Sequence, residues 1–128
     1  MRYRTATVIP LPSADFMSNG FDSSVLAELR LHIGDEAVGR VIAQFKTDVA
    51  RRIELLPGLL GQDLARAAHA LKGSALEVGA VAMAEAARTL EQTGATLSAD
   101  AAASRIETLR RLVAETFDAL DRAIATRT

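Results

Sequence analysis

The stretch QDLARAAHALKGSALEVGA, residues 62–80, decides the fold. Leu64, Ala68, Leu71, Ala75 and Val78 recur in steps of four, three, four and three, the period of one buried face of an α-helix. Gly79 breaks the pattern. The same period is found on both sides of this segment. Upstream, Val38, Val41, Ile42, Phe45, Val49, Ile53 and Leu56 form a second stripe, stopped by Pro57 and Gly58. Before it, Asp22 or Ser23 caps a short helix to about Ile33, carrying Val25, Leu26 and Leu29. Gly34 ends that helix and Asp35 caps the next. Downstream, Met83, Ala87 and Leu90 mark a helix over about 81–93, ended by Gly94. Ser98 caps the last helix, with Asp100 in its first turn. It runs to about Ala125 and carries Ile106, Leu109, Leu112, Val113, Phe117, Leu120 and Ile124.

Four long amphipathic helices joined by short loops predict an all-α fold, an antiparallel four-helix bundle with a short N-terminal capping helix. The bundle is expected over residues 21–128. Residues 1–20 read as a leader without helical period, either disordered or laid along the domain. Alanines at core positions imply helices that approach closely.

Composition agrees with one helical domain. The chain has 128 residues, 49% hydrophobic and 24% charged, enough apolar material for a packed core. Aromatics at 4% and abundant Ala and Leu favour helix over sheet. A net charge of −1, from 15 basic and 16 acidic residues, gives no pull toward nucleic acid or an anionic membrane. No cysteine is present, which removes thiolate chemistry and disulfides. Arg2 and Arg4 precede only a short apolar run broken by Pro10 and Pro12, too short for a signal peptide. No stretch approaches a membrane span. A cytoplasmic monomer is the default expectation.

The chemistry lies on the third helix. His69 is rotated about 100° from Ala68, beside the core stripe. One turn away on the same face stand Ala65, Arg66, Lys72 and Gly73. A mid-helix glycine costs roughly 1 kcal/mol relative to alanine, so Gly73 suggests a close approach to the helix surface. With Ala65 it leaves the imidazole standing clear, while Lys72 and Arg66 can reach an anion on the ring. An open imidazole with small flanks and nearby cations suits a phosphorylated histidine. With a reference pKa of ~6.5, neutral histidine offers a free lone pair near neutrality.

Competing chemistries lack their residues. Lys72-Gly73-Ser74 has the wrong order for a phosphate-binding loop and lies in a helix. There is no HExxH, no Glu-x-x-His pair and no Gly-x-Ser-x-Gly elbow. Two histidines without cysteine are too few for a typical transition-metal site. His32, in LRLHIGDE, has no such surroundings and reads as a helix-end histidine.

His69-Ala70-Leu71-Lys72-Gly73-Ser74-Ala75, followed by Gly79-Ala80, resembles the motif of the histidine-containing phosphotransfer (HPt) family. The wider resemblance covers about residues 22–125. It implies a phosphocarrier with no ATP site of its own, not a kinase. His69 would be the phosphoacceptor through Nε2, Lys72 would stabilise the phosphoryl group, and Gly73 would admit the partner's active site. Ala65, Leu76 and Ser74 join the docking surface. Leu76 is either an exposed contact or tucked against the bundle end, and Ser74 either contacts a partner or back-bonds to a helix carbonyl. Arg66 is a secondary phosphate ligand or a solvated residue. Glu91 either bonds the other imidazole nitrogen, as in some members, or is simply solvated. The implied partners are the receiver domains of a hybrid histidine kinase and of a response regulator. The family binds no metal itself; Mg²⁺ belongs to the receiver. Two alternatives stay open: a substrate domain excised from a larger kinase, against which Met1 and the capped ends speak, and an adaptor bundle without phosphotransfer.

Overall fold

In the computed structural model, residues 20–125 are described. Apart from Gly20, the expected leader lies outside the described residues, as do residues 126–128. The helices are α1 (Ser23–Glu54), α2 (Gly61–Glu77), α3 (Val81–Thr93) and α4 (Ala99–Ala125). A 3₁₀ turn, Gly94–Thr96, follows α3 directly. The described residues contain no strand, so the chain is all-α.

Each boundary has a local cause. Asp22 caps α1, its carboxylate accepting from the Ser24 backbone N–H at 3.0 Å and the Ser24 hydroxyl at 2.6 Å. Within α1, Gly34 has φ 87° and ψ 161°, which breaks the helix into the expected short arm and long arm. Ser98 accepts from the Ala101 N–H at 3.1 Å at the start of α4. α2 starts one residue before the expected Gln62, and its N-cap, Leu60, supplies no side-chain bond.

The predicted stripes converge on one core. Ile42 and Val49 of α1, Leu64 and Leu71 of α2, Met83 and Leu90 of α3, and Leu109 and Leu120 of α4 are all buried. Burial of each such side chain contributes about 1.5–3 kcal/mol. Between α2 and α3 the buried residues are small, with Ala68, Ala75, Ala84, Ala87 and Gly94 all buried. These two helices therefore pack closest, as the alanine content implied. Thr116, polar and buried, donates its hydroxyl to the Leu112 carbonyl at 2.8 Å. The α1–α4 seam has an edge-to-face pair, Phe45 and Phe117, with centroids 6.0 Å apart.

The short arm of α1 closes the end of the bundle at the α2–α3 turn. The Asp22 N–H donates to the Gly79 carbonyl at 2.8 Å, and Phe21 forms a bridge with Ala80. Gly79 has φ 78°, and a Cβ there would fall 2.7 Å from the Asp22 carbonyl oxygen. No helix among the described residues is long and apolar enough to cross a membrane.

Candidate functional site

Ala68 is fully buried, so the next residue, His69, turns outward. Its side chain is 66% exposed. α3 runs antiparallel beside it and brings up Glu91, whose Oε2 lies 2.7 Å from His69 Nδ1. Glu91 Oε1 lies 3.0 Å from Lys72 Nζ. One carboxylate thus holds the imidazole and the lysine together.

The hydrogen bond from Lys72, then that from His69, holds the Glu91 carboxyl below its ordinary range, against a smaller opposing effect of desolvation. An ionised carboxylate only accepts hydrogen bonds, so Nδ1 carries the proton in this contact. In the neutral ring the lone pair is then on Nε2, which has no protein partner among the described residues. The arrangement is a nucleophilic nitrogen facing solvent, its ring fixed from behind by a charged acceptor.

Of the two readings open for Glu91, the hydrogen bond to His69 is the one observed. Lys72 lies beside His69 as expected, but its ammonium rests on Glu91 and reaches the ring only through that shared carboxylate. Gly73 is exposed within the helix, and a Cβ built there meets nothing within 4 Å. No neighbour among the described residues requires the methyl to be absent. Ala65 is half-buried under the 3₁₀ turn, where a Cβ on Gly94 would come within 3.4 Å of the Ala65 nitrogen. Leu76 is 55% exposed, so it is not tucked against the bundle end. Ser74 is half-buried. Thr93, Thr108 and Thr116 back-bond to helix carbonyls, whereas Ser74 makes no such bond among the described residues. Arg66 pairs with Asp63 at 2.9 Å, one turn back on its own helix. His32 donates Nδ1–H to the Glu28 carbonyl at 2.8 Å, a local helix contact in line with the reading of its sequence.

The Lys72–Glu91 bridge was not visible in the sequence. Its partners are on different helices and meet only through the α2–α3 register. Arg88, also not singled out in the sequence, lies one turn before Glu91 on α3 and pairs at 2.7 Å with Glu85, three residues back on the same helix.

A family model, that of the Hpt domain, matches residues 40–124. No curated protein and no solved structure matches the chain. The matched span begins inside α1 and includes the whole of α2 and α3 with the His69–Glu91–Lys72 cluster.

Proposed function

Because the chain belongs to the Hpt domain family, phosphocarriers of two-component signalling that work with receiver domains, we propose that His69 Nε2 relays a phosphoryl group between the aspartates of two receivers. One receiver belongs to a hybrid histidine kinase and the other to a response regulator. The Nε2 lone pair attacks phosphorus, forming the N–P bond. The aspartyl O–P bond breaks and the carboxylate leaves with its electron pair. The ring then carries positive charge shared with Nδ1–H, and the Glu91 carboxylate faces that charge. No proton has to move. The second receiver's aspartate runs the step in reverse.

Lys72 turns from Glu91 to the phosphoryl oxygens once they are present. Gly73 and Ala65 give the receiver room, and Leu76 and Ser74 border its footprint. Arg66, held by Asp63, is left with a minor part at most. The carrier works as a cytoplasmic monomer, and Mg²⁺ is held by the receiver. The observation that carries this reading is the exposed imidazole fixed at Nδ1 by a charged acceptor, with no partner at its other nitrogen among the described residues.

The test is transfer from a phosphorylated receiver, resolved on a phosphate-affinity gel, with His69→Gln alongside. Acid-labile label on the wild type and none on the variant is the expected result. The side chain is exposed, so circular dichroism of the variant should be unchanged. Equal labelling of both proteins would place the phosphoryl group elsewhere and end the proposal.

A further inference from the structure

The exposed side of α3 carries a second charged feature beside the site. Arg88 donates to Glu85 through Nη2 at 2.7 Å and through Nε at 3.3 Å. Both side chains are solvent-accessible, at 44% for Arg88 and 61% for Glu85. Arg88 stands three residues before Glu91 and so lies on the same side of α3, one turn along. The register of the antiparallel pair is fixed by Glu91 against His69 and Lys72, and by Gly94 against Ala65. Arg88 is therefore level with the next turn of α2, which holds Gly73. A body that covers His69 and settles over Gly73 meets Arg88 at its edge.

Among the described residues, three cations stand around His69, each tethered to a carboxylate: Arg66 to Asp63, Lys72 to Glu91 and Arg88 to Glu85. The tethers are not equivalent. Glu91 also holds the imidazole, so Lys72 belongs to the reacting group. Arg66 is on the side of the site where the 3₁₀ turn half-covers Ala65. By the register, Arg88 is at the other end, toward the exposed Gly73 and Leu76.

We propose that Arg88 recognises the receiver by pairing with a carboxylate presented beside Gly73, and that Glu85 competes for the same guanidinium. This rests on the receiver reading above. The donor and acceptor of the phosphoryl group are carboxylates, so the end of the partner that reaches His69 is acidic, and a guanidinium at its edge complements it. An exposed pair one helical turn apart gives little up when exchanged. The same two-pronged pairing at a closing interface is less screened. The surface is thus suited to an acidic partner and sets how tightly it is held, leaving the transfer step to His69 and Lys72.

Arg88→Ala and Glu85→Gln separate this from a merely structural ion pair. Single-turnover transfer is followed as a function of phosphorylated receiver concentration. Arg88→Ala should raise the half-saturating concentration about three-fold, the scale of one exposed charge contact, and weaken its dependence on salt. Glu85→Gln frees the guanidinium and should lower the half-saturating concentration by a similar factor. The rate at saturation should hold in both. A shift in the same direction for both variants, or in neither, overturns the proposal. If the wild type takes no label from any receiver, the carrier reading itself fails and takes this inference with it.

Discussion

Replacing Gly73 with alanine sets helix stability against partner access. Gly73 has ordinary helical backbone, and the added methyl would have open space around it. Alanine is better than glycine inside a helix by about 1 kcal/mol, and no clash subtracts from that gain. For a domain of this size the gain corresponds to about 4 °C in Tm. Gly39 provides the control. It also lies inside a helix, α1, with nothing within 4 Å of a built Cβ, and Gly39→Ala should gain about as much. Transfer should separate the two variants. A methyl at a docked surface displaces the partner by about 1 Å, enough to cost roughly ten- to a hundred-fold in rate. Thermal unfolding by circular dichroism and receiver-to-His69 transfer measure both quantities on the same samples. A Gly73→Ala protein that is stabilised and transfers at the wild-type rate would refute the docking account of this glycine. One that melts lower would show that the helix itself needs glycine there.

Gly79→Ala should act the opposite way, because its φ of 78° and the Asp22 carbonyl 2.7 Å from the new methyl both oppose it. A loss of about 2 kcal/mol in urea unfolding is expected, and an unchanged midpoint would contradict the closed α2–α3 turn. Leu71→Ala empties a fully buried position and should cost about 2–5 kcal/mol with little change in the urea m-value. Glu91 titrates below its ordinary value in the folded protein, so its bridge is complete above the usual carboxylate pKa and is lost as pH falls through the depressed one. Carbon NMR should find its midpoint below the ordinary glutamate value and rising in Lys72→Ala; equal midpoints would remove the bridge. In Glu91→Ala, imidazole nitrogen shifts at a pH where the ring is neutral should show the Nδ1–H tautomer giving way to Nε2–H, and an unchanged tautomer would show that something else orients the ring.

The helices were legible because their apolar residues keep the 3.6 period without interruption, and glycine or a cap marks most ends. Gly34 was readable as a break because neither arm's stripe runs through it. Gly94 was read as a helix end, and α3 does stop there. Its φ of −56° is still helical, however, and the chain continues into a 3₁₀ turn. The glycine is explained by the approach of the Ala65 backbone, a tertiary contact that leaves no local signature. At the site, His69, Lys72 and Gly73 lie within one turn, so spacing alone brought them together. Glu91 is 22 residues from His69, and nothing in the sequence distinguishes it from a solvated glutamate until α3 is laid against α2 in register. Arg66 illustrates the reverse case: the spacing that puts it one turn from His69 also puts it one turn from Asp63, and it is paired there.

Glu91 holds His69 by Nδ1, the ring nitrogen away from the exposed Nε2, and this bears on time as well as on placement. A phosphoryl group on nitrogen is lost to water fastest where a base can aim a water molecule at phosphorus. The carboxylate that touches His69 sits at Nδ1, on the far side of the ring from the proposed acceptor Nε2, and is engaged there. On the carrier reading, the phosphoryl group can outlast the encounter that delivered it. The contact that orients the imidazole then also sets a slow clock, and a signal waits on His69 for as long as the next partner takes to arrive.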